Sequence, residues 1–120
     1  MSESSHGQLE TLIKTLYSYV QLPQDWDGYG GLPASLQAVQ DAEHFLVKLP
    51  EGVPLPRPML AGSGTVGLYW DGGDLYISLD FEGDNRYTYL IDQNDQYSSD
   101  SDIEVEQPIP DDLRRALEEV

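Results

Sequence analysis

Between Asp74 and Glu82 the chain alternates without a slip. Leu75, Ile77, Leu79 and Phe81 take one side, and Asp74, Tyr76, Ser78, Asp80 and Glu82 take the other. A period of two fits an extended strand and no helix, because successive strand side chains point to opposite faces. Such a strand buries one face and wets the other, which calls for an antiparallel sheet covered on one side only. The flanking segments keep the rhythm. Thr65–Trp70 and Arg86–Ile91 are β-rich, and Asp71-Gly72-Gly73 and Gly83-Asp84-Asn85 between them carry the residues of hairpin turns. A three-stranded antiparallel meander is expected, with Ile103 and Val105 suggesting a short fourth strand at its edge.

Helical patterns supply the cover. Leu9, Leu12, Ile13, Leu16, Tyr17 and Val20 recur at three- and four-residue steps over Gln8–Val20, with Ser5 as a cap and Pro23 as the stop. Leu36, Val39, Ala42, Phe45, Leu46 and Leu49 repeat the pattern after Ser35, until Pro50 and Gly52 end it. Residues 1–7 read as a flexible tail. Four prolines in the nine residues Pro50–Pro58 predict a stiff extended connection. Residues 93–102 lack an aliphatic side chain and read as an acidic loop, and Pro108 and Pro110 lead into a last helix over Asp111–Glu119. The fold class is α+β: two N-terminal helices packed on a three- to four-stranded antiparallel meander, then a short C-terminal helix. All 120 residues form one domain. The absence of cysteine excludes disulfides, thiolate zinc sites and a thiol nucleophile. No apolar run approaches a membrane span and the first residues do not resemble a signal peptide, so the expected location is cytoplasmic.

Charge narrows the function. Twenty-two acids oppose six bases, a net charge of −16 that repels nucleic acid and anionic lipid, so neither is expected as a direct partner. A protein with a basic surface is. Residues 71–120 hold fifteen of the acids against three arginines, −12 of the total. Asp92, Asp95, Asp100, Asp102, Glu104 and Glu106 form the densest run, with no base among them. In a regular strand Asp100, Asp102, Glu104 and Glu106 would point the same way about 6.5–7 Å apart, with Ser101, Ile103 and Val105 inward. That spacing is close to the separation of phosphates along one nucleic-acid strand. The opposing reading is a solvated acidic edge that keeps the sheet from aggregating.

Catalytic patterns are weak. His6 falls in the tail and His44 on the second helix, neither in a metal-ligand spacing, and no GxSxG occurs. An EF-hand loop started at Asp92 would need Gly and Glu where Tyr97 and Ile103 stand. No metal, cofactor or catalytic residue is assigned, and the chain reads as a binder rather than an enzyme. Asp25-Trp26-Asp27-Gly28-Tyr29-Gly30 is the most distinctive stretch. Trp26 and Tyr29 are expected to plug the gap between helices and sheet, the alternative being an exposed aromatic anchor flanked by acids.

The segment Leu22–Leu49, with its Trp-Asp-Gly-x-Gly turn between two helices, resembles small proteins of bacteria and their mobile elements. In those a proline-rich link and a β-meander follow, so the similarity implies the fold over residues 20–92 and no activity. In size and charge the chain resembles phage-encoded anti-CRISPR and DNA-mimic antirestriction inhibitors. The expected function is an inhibitor that imitates nucleic acid and blocks the basic DNA- or RNA-binding channel of a host defence protein, a CRISPR effector or a restriction enzyme. The partner-binding set is Asp74, Tyr76, Asp80, Glu82, Asp95, Tyr97, Asp100, Asp102, Glu104 and Glu106, with Tyr76 and Tyr97 for stacking. An antitoxin or immunity protein against a basic toxin is the alternative, and an open sheet edge leaves room for a homodimer.

Overall fold

The computed structural model describes residues 2–120 and, within the first helix, side chains from Gly7 onward. Its elements run α1 (Ser2–Ser18), a 3₁₀ turn (Tyr19–Gln21), α2 (Leu36–Leu46), β1 (Arg57–Leu60), β2 (Val66–Asp71), β3 (Leu75–Phe81), β4 (Arg86–Gln93), β5 (Gln96–Glu104) and α3 (Asp111–Glu119). The strands form one antiparallel sheet in the order β1-β2-β3-β4-β5. The α+β class and the meander agree with the sequence reading, but the sheet has five strands instead of three or four.

β1 and most of β5 lie where the sequence reads as connection, and β5 extends the short fourth strand expected at Ile103 and Val105. β1 emerges from the proline-rich link, pairing Arg57 with Tyr69 and Leu60 with Val66. Pro58 is accommodated because β1 is an edge strand, where a missing N–H costs no ladder bond on the open side. β5 replaces most of the acidic loop expected over residues 93–102. Asn94 and Asp95, at φ 52° and 66°, make the two-residue left-handed turn that reverses the chain between Gln93 and its partner Gln96. Only its end was read, as the short edge strand expected at Ile103 and Val105, because the rest packs little: seven of its nine residues are exposed before Ile103 reaches the core. The first helix also departs from expectation. It begins at Ser2, so the expected tail supplies its opening turns and Ser5 lies inside it, with Met1 outside the described residues. Among the described residues no helix is long and apolar enough to cross a membrane.

All the helices cover one face of the sheet. Leu75, Ile77, Leu79 and Phe81 of β3 are buried there, with Val66, Leu68 and Trp70 of β2 and Tyr87, Tyr89 and Ile91 of β4. Helix α1 contributes Leu12 and Leu16, and α3 contributes Leu113, Ala116 and Leu117. Phe45 of α2 meets Tyr87 edge-on at 5.2 Å and Phe81 at 6.2 Å between ring centres, the arrangement aromatic quadrupoles prefer.

Polar contacts fix the angle of α2 over the sheet. Ser35 caps the helix as its sequence predicts, accepting the Ala38 N–H at 3.1 Å. Gly83 passes so near that a β-carbon there would stand 2.6 Å from Ser35 Oγ, and its φ of +91° suits glycine besides. Asp41 is the one buried charged side chain among the described residues. Its carboxylate accepts the Asn85 N–H at 2.9 Å and the Gln37 side-chain amide at 2.8 Å, clamping the β3–β4 turn to the helix. Lys48, at the other end, donates to the Val105 and Gln107 carbonyls beyond β5. Replacing Asp41 by Ala strips the Asn85 N–H and the Gln37 amide of a shared, part-buried acceptor, and about 1–2 kcal/mol of stability should be lost. Urea unfolding followed by tryptophan fluorescence measures it. A loss under about 0.5 kcal/mol would mean that water replaces the carboxylate at no cost.

Candidate interaction surface

Because α1, α2 and α3 bury their apolar residues against one side, the opposite face of the sheet is left bare of them, its residues largely half-buried or exposed. The register reads out its composition row by row. Asp71 of β2 stands opposite Tyr76 of β3, Tyr76 opposite Asp92 of β4, and Asp92 opposite Tyr97 of β5. The adjoining row is Arg57, Tyr69, Ser78, Leu90 and Ser99, and the next brings together Met59, Gly67, Asp80 and Thr88. The rings of Tyr69 and Tyr76 stack at 6.2 Å with planes 29° apart. At the far end Asp80, Glu82, Asp84 and Asp102 gather around Arg86 and Thr88 in a shallow notch. Partial desolvation on the sheet, helped by Glu82, raises the Asp80 carboxyl above the usual aspartate range.

The row of four carboxylates expected along the last strand does not form. Tyr87 pairs with Ile103 but Tyr89 pairs with Asp100, so Ser101 and Asp102 together oppose the single residue Thr88. This is a β-bulge, with Asp102 in the left-handed region at φ 60°. A bulge resets the alternation of side chains. Asp100 therefore shares the helix-covered face with Tyr89, whereas Glu104 shares the bare face with its partner Arg86. Ser101 is exposed rather than inward; Ile103 and Val105 do turn to the core. Glu106 lies past the strand, beside the turn closed by the Gln107 N–H on the Glu104 carbonyl at 3.0 Å. Asp95 sits in the β4–β5 turn and Asp74 just before β3, where its carbonyl accepts the Asn94 N–H at 3.0 Å.

Acids thus flank the β5 edge on both sides of the sheet. On the helix side Asp112 joins Asp100, taking the Tyr89 hydroxyl at 2.9 Å on each oxygen and the Ser98 hydroxyl at 3.3 Å. Burial, then the bond to Asp112, pushes the Tyr89 hydroxyl far above the ordinary tyrosine value. Its neighbour Tyr87 is pushed up to about 12, chiefly by burial, and its own hydroxyl is buried without a hydrogen-bond partner. Little of the negative charge is neutralised within the fold. Among the described residues the single ion pair joins Arg114 to Asp111, at 3.5 Å and in solvent.

The Trp-Asp-Gly loop is a second exposed acidic feature. Asp27 Oδ1 accepts the N–H groups of Tyr29 at 2.9 Å and Gly31 at 2.7 Å, which hold its carboxyl below the usual aspartate range. Asp25 Oδ1 takes the Gly30 N–H at 2.6 Å, and Trp26 donates its indole N–H to the Leu32 carbonyl at 2.7 Å. A β-carbon on Gly31 would lie 2.6 Å from the Asp27 carboxylate, which is why glycine stands there. Trp26 is half-buried, but Tyr29 is 94% exposed and plugs no gap. The loop closes on its own carboxylates and needs no aromatic filler at its tip.

A hollow of ≈ 700 Å³ lies between α1, the end of α2 and the proline link; Leu9, Leu46, Leu49, Val53 and Leu55 line it, and among the described residues Glu51 is its one titratable group. No sheet residue borders it. Among the described residues no three of His, Asp and Glu come together as metal ligands, and the His6 side chain lies outside them. Sequence reasoning missed Asp71, Asp92 and Tyr69 as surface partners of Tyr76 and Tyr97, and Asp112 as a partner of Tyr89. The two-residue turns carried the signal, since turn length fixes which residues face each other across a hairpin. No family model, curated protein or solved structure matches the chain.

Proposed function

We propose that this chain is an inhibitor rather than an enzyme, and that it occupies the cationic nucleic-acid channel of another protein, a CRISPR effector or restriction enzyme of a bacterial defence system. One observation carries the reading: the acids around β5 are exposed and clustered, and among the described residues none of them forms an ion pair, although Arg86 stands opposite Glu104. Like charges held together oppose folding, so their retention points to a use outside the molecule. The bulge refines the shape of the mimic. With Asp100 on one side and Glu104 on the other, the edge suits a cleft with cationic walls on both sides better than a flat strip of lysines.

The test is capture from a bacterial lysate by the immobilised chain, followed by competition with duplex DNA. A nucleic-acid-binding protein released by DNA supports the reading. Its affinity should fall steeply between 50 and 200 mM salt, by roughly tenfold or more, as screening of several exposed charge pairs requires. A captured protein that DNA fails to displace, or an affinity indifferent to salt, would overturn channel mimicry; a captured toxin with no nucleic-acid site would point to the neutralising role of an antitoxin.

A further inference from the structure

On the bare sheet face, Asp71, Tyr76, Asp92 and Tyr97 form one cross-strand row in which carboxylate and phenol ring alternate. Directly opposed residues of an antiparallel pair carry their β-carbons about 4.5–5.5 Å apart, so each aspartate has a tyrosine ring beside it. Tyr97 is 69% exposed, Asp71 is exposed, and Tyr76 and Asp92 are half-buried. Asp71 spends one oxygen on the Gly73 N–H at 3.2 Å. Cations border the row without entering it: Arg57 stands opposite Tyr69 in the adjoining row, and Arg86 opposite Glu104 at the far end of the sheet.

We propose that this row is a docking surface for arginine side chains of a protein partner, each guanidinium bonding an aspartate while lying against the neighbouring tyrosine. The inference rests on the cationic-partner reading above and specifies the chemistry of that partner. Charge complementarity alone would accept lysine as readily. The alternation would not, because guanidinium is planar, stacks on aromatic faces and grips a carboxylate with two parallel N–H groups, whereas an ammonium is a compact, strongly hydrated point charge. Asp71 and Asp92 stand two strands apart, about 10 Å. Residues i and i+7 of a helix are separated by about the same distance, so an arginine-bearing helix laid across the strands engages both.

Two alanine-based helical peptides, alike except that one carries arginine and the other lysine at seven-residue spacing, are titrated into the full chain and followed by amide NMR shifts. The arginine peptide should bind roughly tenfold more tightly, which two exposed cation–π contacts supply. Shifts should centre on Tyr76, Asp92 and Tyr97. Tyr97→Ser, on an exposed edge strand, should remove much of that preference, and Tyr76→Ser with Tyr97→Ser all of it, leaving weaker salt-sensitive binding. Equal affinity for the two peptides, or shifts confined to other acids, overturns the arginine row but leaves the cationic-partner reading standing. Binding of neither peptide overturns both.

Discussion

Neutralising Asp100, Asp102, Glu104 and Glu106 together, as Asn and Gln, should weaken capture of the cationic partner by about 10- to 100-fold while raising the melting temperature by a few degrees. The two changes come from the same charges. Each exposed ion pair made with a partner contributes about 0.5 kcal/mol, so four lost pairs, about 2 kcal/mol, amount to an order of magnitude or two in affinity. Among the described residues those carboxylates meet no cation within ion-pair distance, and they belong to a net charge of −16, so removing them relieves repulsion. Asn at residue 102 keeps the bulge, because asparagine tolerates the left-handed conformation that Asp102 adopts. Thermal melts and a binding titration on one variant read both effects. Unchanged capture would assign the acids to solubility and edge protection, and a lowered melting temperature would assign them to the fold.

Phe45→Ala should cost about 3–5 kcal/mol, the range for truncating a large buried aromatic, and so a large share of a small domain's stability. Phe45 is 1% exposed and touches both Phe81 and Tyr87, so the cavity would open between α2 and the sheet, where neither can collapse to fill it. Its neighbour offers a control of opposite sign. The Tyr87 hydroxyl is buried without a partner, so Tyr87→Phe removes an unsatisfied group, keeps the ring, and should leave stability unchanged or raise it by about 1 kcal/mol. Urea unfolding monitored through Trp26 and Trp70 separates the pair. A destabilised Tyr87→Phe would show that the hydroxyl finds a partner, such as water, in solution.

The sequence announced whatever a buried face imposes. Period-two alternation marks β3, because every second residue must reach the core, and the Phe45 and Leu113 helices show the three- and four-residue steps of the same demand. The Ser35 cap was legible for a local reason, since the Ala38 N–H it accepts lies within a turn of chain, and the start of α3 was marked by Pro110 with Asp111 and Asp112 in the first turn. β1 and most of β5 were not. Pro58 masks the one, and the other has almost no apolar residue, since an edge strand exposed on its face and flank gains its pairing from β4 and little from burial.

The candidate surface divides in the same way. Its acidity and its tyrosines stand in the amino-acid sequence, because net charge and residue type do not depend on folding. Which of them face together is a matter of register, set by the lengths of turns and by one bulge. A single extra residue opposite Thr88 turned Asp100 away from Glu104, while hairpin pairing brought Asp71, Tyr76, Asp92 and Tyr97 from four strands into one line. Side-chain direction in a sheet changes sign with every residue, so a local irregularity invisible to composition decides which face a distant charge will occupy.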